Sequence, residues 1–134
     1  MTDVTEEEVV FAFAKAWKRL EPEGFLALLA PDARYASQWV FEELVGSTAI
    51  SDYLRGKMRT VRAHGVNDPS SRVRVEVGRT AQADGGRPCA FMTQGHGNEV
   101  QAVVLFEVCD GRVSRYDLCI PQILGAVRTG VFPV

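Results

Sequence analysis

The stretch YASQWVFEELVG, residues 35–46, decides how the rest of the chain is read. Tyr35, Trp39, Val40 and Phe41 favour a strand over a helix, because aromatic and β-branched side chains fit a pleated surface. Alternation then places Tyr35, Ser37 and Trp39 on one face, and Arg34, Ala36, Gln38 and Val40 on the other. The first set is either one wall of a ligand pocket or the polar side of an ordinary strand. Glu42 and Glu43 are adjacent and point to opposite sides, so at most one of them enters a pocket. They read as solvated charge. Gly46 closes the segment.

Upstream, Thr5 followed by Glu8 reads as a capping box. Behind it Val9, Val10, Phe13, Trp17 and Leu20 recur at helical spacing, which predicts a helix over about residues 6–20. Pro22 suits the first turn of a second helix. Phe25, Leu28 and Leu29 form its expected apolar face, and Pro31 its stop. Downstream of Gly46, Ser47 or Thr48 caps a third helix over about residues 48–63. Its stripe is Ile50, Tyr53, Leu54, Met58 and Val61.

The remainder reads as a strand meander. Valines alternate with charges from Val73 to Val77. PCAFMTQG and the mostly apolar EVQAVVLFEV follow, separated by GHGN. Asp110-Gly111 is a strong hairpin signal before VSRYDLCI. The tail, residues 121–134, is apolar but broken by Gly and Pro, and is expected to pack on the domain or on a dimer partner. Helices followed by strands indicate an α+β class, here a curved antiparallel sheet wrapped over three N-terminal helices. No repeat or linker divides residues 1–134, which read as one domain.

Bulk properties exclude several functions. A net charge of −2 with both signs dispersed leaves no basic footprint for nucleic acid or a membrane surface. No apolar run approaches the roughly 20 residues that span a bilayer. The acidic N-terminus, unlike a secretory signal, indicates a cytoplasmic protein. Cys89, Cys109 and Cys119 are odd in number and lack CxxC spacing, so neither a disulfide framework nor a structural metal is expected. His64 and His96 show no ligand spacing, and either could act as a base if its loop covers a pocket mouth. No phosphate loop or dinucleotide fingerprint appears, and no cofactor is expected.

The order of elements resembles the nuclear-transport-factor-2-like superfamily, which includes ketosteroid isomerase and SnoaL-like polyketide cyclases. EGFLALLAPDARYAS resembles the family's second helix entering its first long strand. LVGSTAISDYL resembles its entry to helix three, and DGRVSRYDLCI its last turn and strand. The likeness spans about residues 6–120 and implies a cone-shaped fold. It is weak for function, since one fold of this kind hosts many activities. The isomerase general base aligns with Ser37, the acid of its oxyanion hole near Val104, and its tyrosine near Ala16. All three groups are absent, so that mechanism is rejected.

The resemblance also implies which residues line the cone. Tyr35, Ser37 and Trp39 come from the first strand, and Tyr53, Leu54 and Met58 from helix three. Arg115, Asp117 and Cys119 come from the last strand, and Ala102, Val104 and Phe106 from its neighbour. Asp117 is the candidate acid/base, since polyketide cyclases of the superfamily use a pocket aspartate and desolvation favours a protonated carboxyl. The alternatives are an ion pair with Arg115 or Arg34, or exposure at an edge. Tyr35 and Tyr53 either offer hydroxyls to a ligand carbonyl or are core aromatics with hydroxyls at the rim. Trp39 is a stacking platform or an ordinary core residue. A homodimer through the outer sheet face is expected, because Val103 and Leu105 make that face apolar. The expected function is binding of a small, largely apolar molecule. Cofactor-free isomerase, cyclase or dehydratase chemistry through Asp117 could accompany it. The alternative is a non-catalytic ligand-binding or protein-interaction module.

Overall fold

A computed structural model of the chain describes residues 4–37, 42–65, 73–80, 87–94, 100–119 and 126–131. Helix α1 (Glu6–Arg19) starts at Thr5, whose backbone is extended and whose side-chain oxygen accepts the Glu8 N–H at 3.2 Å. The Thr5 hydroxyl also donates to the Glu8 carboxylate, so the two residues of the expected capping box bond to each other through their side chains as well. Acidic residues in the first turn and Lys18 and Arg19 in the last suit the helix dipole. Val9, Val10, Phe13 and Trp17 form the buried face.

The second helix is much shorter than its sequence suggests. Helix α2 (Glu23–Leu26) is a single turn, and strand β1 (Leu29–Ser37) starts where the helix was expected to continue. Leu29 and Pro31 therefore lie in a strand. Pro31 falls where the register against the neighbouring strand shifts, between Leu29 and Arg34. An irregularity of this kind is where a strand tolerates a residue with no N–H.

Strand β2 (Leu44–Val45) folds back antiparallel on β1. Gly46, at φ 96°, takes the chain into helix α3 (Ser47–Gly65), and its N–H reaches the Ala33 carbonyl at 2.7 Å. Residues 38–41, with Trp39, lie outside the described residues, as does the GHGN turn with His96. Then follow β3 (Val73–Thr80), β4 (Pro88–Gln94), β5 (Val100–Cys109), β6 (Arg112–Cys119) and β7 (Ala126–Val131). Asp110 and Gly111 both have positive φ, as the expected two-residue hairpin requires.

Among the described residues the strands form one sheet in the order β2-β1-β6-β5-β4-β3-β7. As the sequence suggested, β1 and β2 come between the second helix and α3. The expected antiparallel sheet is corrected at one place, because β1 runs parallel to β6. The tail supplies β7, which adds to the edge of β3 in the same chain.

The principal core lies between the helices and one sheet face. Phe13 of α1 meets Phe25 and Phe106 edge-on, each with ring centroids 5.2 Å apart, and Tyr116 completes the cluster. Val75, Val77, Val104 and Phe106 share this face. The opposite face carries a separate apolar cluster of Cys89, Phe91 and Val103, with Leu105 packed against it. The sequence offered Val103 and Leu105 as an interface for a second copy. Val103 is already withdrawn from solvent within one chain.

The β5–β6 ladder holds the feature that decides the site. Its register shifts between Glu107 and Val108: Val108 pairs with Val113, yet Glu107 pairs with Arg115. Ser114 is the extra residue of a β-bulge. Uninterrupted alternation from the core residue Val113 would send Arg115, Asp117 and Cys119 inward. The bulge reverses the parity, because a one-residue slip moves every later side chain to the other face. Tyr116 and Leu118 turn toward the helices instead.

Candidate functional site

A cavity of about 400 Å³ lies between the helices and the inner sheet face. Helix α1 contributes Phe13 and Trp17, and α3 contributes Tyr53, Leu54, Lys57 and Val61. The sheet supplies Tyr35 and Ser37 from β1, Tyr116 and Leu118 from β6, and Ala102 from β5. Val73, Met92 and Thr93 close the far side. The wall is apolar with a few polar groups, the usual makeup of a small-molecule site. Lys57 is the one charged residue among the described lining residues. It lies at the exposed edge, with its ammonium 5.8 Å from the centre of the Tyr53 ring.

Three tyrosines organise one side of the cavity. Tyr35 and Tyr116 face each other across the parallel β1–β6 pair and stack at 4.4 Å with an interplanar angle of 24°. Tyr53 tilts against Tyr35 at 5.6 Å. Phe106 stacks behind Tyr116 at 5.8 Å. Burial, reinforced by the neighbouring Tyr53, pushes the Tyr35 hydroxyl well above the usual phenol range. Tyr116 is raised as well, first by its burial and then by its two phenolic neighbours. Both therefore stay protonated at neutral pH, and their hydroxyls can donate hydrogen bonds rather than accept a proton as a base.

Trp17 is the other polar group of note. It is 7% exposed, and its indole Nε1 is buried with no hydrogen-bond partner among the described residues. Its position on the apolar stripe of α1 is plain in the sequence. The unpaired donor is not, because it depends on what surrounds the indole after folding.

The expected site residues divide into four groups. Tyr35, Ser37 and Tyr53 line the cavity, together with Leu54 and Ala102. Met58, Val104 and Phe106 are buried in the core behind that wall and do not line it. Trp39 lies outside the described residues. Arg115, Asp117 and Cys119 are corrected to the opposite face of the sheet by the Ser114 bulge. There the Arg115 Nη2 lies 2.9 Å from the Asp117 carboxylate, and its Nε donates to the same group at 3.0 Å. Arg115 also reaches Glu43 at 3.3 Å, and Glu43 pairs with Arg34 at 3.2 Å. Asp117 is thus one end of a chain of half-exposed ion pairs, outside the cavity.

The remaining titratable candidates are also peripheral. His64 is exposed near the end of α3. Cys119 is buried, and that burial, followed by the nearby Asp117, raises its thiol. The three cysteines are free thiols. No group of three or more His, Cys, Asp or Glu residues with metal-site geometry occurs among the described residues. Among those residues no helix is long and apolar enough to cross a membrane.

No family model matches the sequence, and no curated protein matches it. Solved structures do. A candidate ketosteroid isomerase from Kribbella flavida is 28% identical, with 87% of this chain and 77% of that chain covered and a TM-score of 0.55. A candidate polyketide cyclase from Pseudomonas putida is 21% identical, with coverage of 86% and 90% and a TM-score of 0.59. A SnoaL-like protein from Burkholderia thailandensis is 15% identical, with coverage of 96% and 100% and a TM-score of 0.61. With the helices, sheet and cavity described above, these likenesses place the chain in the nuclear-transport-factor-2-like structural superfamily.

Proposed function

We propose that the chain binds a small, flat, largely apolar molecule in its cavity and holds it without acid/base turnover through Asp117. The observation that carries this reading is the lining itself. Stacked tyrosines, Phe13 and Trp17 form aromatic walls around about 400 Å³, and no carboxylate or imidazole belongs to the described lining residues. Proton abstraction needs a base within hydrogen-bond reach of the substrate. Asp117 is held by Arg115 on the other side of the sheet. Tyr35 and Tyr116 are shifted away from the anionic form. The Kribbella and Pseudomonas neighbours are consistent with a ligand-holding cavity, and the ligand of this chain is set by its own wall.

The test is saturable binding of the fluorescent probe 1-anilinonaphthalene-8-sulfonate, compared with a variant whose cavity is filled. Ala102 lines the space and is small, so Ala102→Phe occupies it. Wild-type protein should bind the probe saturably, and the variant should lose at least tenfold in affinity while still melting cooperatively. If Ala102→Phe does not fold, Val61→Trp fills the same cavity from α3, where Val61 is only half-buried. Undiminished probe binding in a folded, filled variant would sink the proposal.

A further inference from the structure

We infer that Lys57 is the specificity-determining residue of the cavity, and that the molecule bound is a small amphipathic aromatic acid. Its flat apolar body sits inside, and its single carboxylate meets the Lys57 ammonium at the rim. The inference rests on the ligand-binding reading above and names the chemistry of the molecule bound.

Three observations meet at this side chain. The first is its place. Tyr53, Leu54, Lys57 and Val61 recur at helical spacing on one face of α3, and all four line the cavity. Leu54 is buried whereas Tyr53 and Lys57 are exposed, so this part of the wall runs from the interior to the rim. The ammonium lies 5.8 Å from the centre of the Tyr53 ring, close enough for the ring face to hold it there. The second is an uncommitted charge. Among the described residues no carboxylate lies within ion-pair distance of Lys57. Two other cations of α3 are already engaged. Arg55 grips Glu23 at 2.7 and 2.9 Å, and Arg62 donates to the Arg19 and Leu20 carbonyls. A ligand anion placed on Lys57 therefore displaces no ion pair. The third is the rest of the wall. It carries no other cation among the described lining residues, so an anion seated deep would lose its water and gain no partner. The charge thus belongs at the rim, and the rings belong inside, against the stacked Tyr35 and Tyr116. A single lysine matches a singly charged group, which favours a monocarboxylate over a phosphate ester. The net charge of the chain, −2, opposes any general attraction of anions, so a preference for one is local to this residue.

The experiment compares 3-(2-naphthyl)propanoate with its neutral amide, 3-(2-naphthyl)propanamide, by titration calorimetry near pH 7. The two share a flat ring system and a short flexible arm, and differ in charge. Wild-type protein should bind the acid more tightly at low salt, by roughly three- to tenfold for one ion pair at a partly shielded rim. The preference should shrink to within about twofold in 1 M sodium chloride. Lys57 is exposed, so Lys57→Gln keeps the fold and most of the side-chain stem. It should abolish the preference while leaving amide affinity within about twofold. Arg59→Gln removes an equal charge two residues along α3, from a side chain that does not line the cavity, and should leave the preference standing. An acid that binds no more tightly than the amide would overturn the inference and spare the ligand-binding reading. So would a preference that survives Lys57→Gln, or one that Arg59→Gln removes equally. Failure of wild-type protein to bind either compound would overturn both.

Discussion

Substituting Asp117 by Asn separates the two faces of the sheet. The change removes the charge that Arg115 holds at 2.9 Å and keeps the shape of the side chain. Both side chains are about one-third exposed, at 32% and 30%, so solvent screens the pair. Exposed pairs of this kind contribute about 0–1 kcal/mol, and the link through Glu43 to Arg34 places this one toward the upper end. For a chain of 134 residues, 1 kcal/mol corresponds to roughly 4 °C in melting temperature. Asp117→Asn should therefore melt about 2–4 °C below wild type at low salt. Most of that difference should vanish in about 1 M sodium chloride, where the screening length falls to about 3 Å. Ligand affinity should stay within about twofold, because the group is outside the cavity. Calorimetry at two salt concentrations and a probe titration read all three quantities. An unchanged melting temperature with a tenfold loss of binding would put Asp117 inside the cavity and refute the assignment of faces.

Two further outcomes follow from the buried groups. Tyr35 and Tyr116 both hold their protons more tightly folded than unfolded, where a phenol ionises near pH 10. Their contribution to stability is complete below about pH 10 and falls above it, by about 1.4 kcal/mol per pH unit for each group until the folded protein ionises. Urea melts between pH 9 and 11 should show this decline, and Tyr116→Phe should flatten it; a slope unaffected by that change would contradict the burial of its hydroxyl. Thiol labelling gives a third outcome. Cys109 is exposed, whereas Cys89 is buried and its thiol is pushed up to about 11. One fast-reacting thiol per folded chain is expected, removed by Cys109→Ser, and a second fast thiol would show that the Cys89 side of the sheet opens readily.

The sequence disclosed most where the determining interactions are local. The Thr5–Glu8 box fixed the start of α1, and the Asp110-Gly111 pair fixed a hairpin that only positive φ angles can make. Along β5, simple alternation sorted Ala102, Val104 and Phe106 from Val103 and Leu105. The failures were non-local. Leu28 and Leu29 suit a helix by spacing, but the Leu28 carbonyl accepts the Val113 N–H at 2.8 Å from a strand far along the chain. Nothing between Pro22 and Pro31 announces that partner. The bulge at Ser114 is equally silent, because it exists only as a register between β5 and β6. Trp17 was legible as a core residue, and its unpaired donor was not.

That single extra residue at Ser114 sets the chemical character of the cavity. With regular pairing, the last strand would direct Asp117 inward, between the tyrosines. No arginine or lysine among the described lining residues stands there to pair it, apart from Lys57 at the exposed edge. An unpaired carboxylate in such a place carries a large desolvation cost. With the bulge, Asp117 meets Arg115 on the outer face, where Glu43 and Arg34 extend the pairing, and Tyr116 enters the space instead. Electrostatics and packing thus favour the same register. Tyr116 then stacks on Tyr35 and backs onto Phe106, so the residue that displaces the carboxylate also builds the aromatic wall. The inserted position thus leaves the described cavity wall aromatic and without a carboxylate.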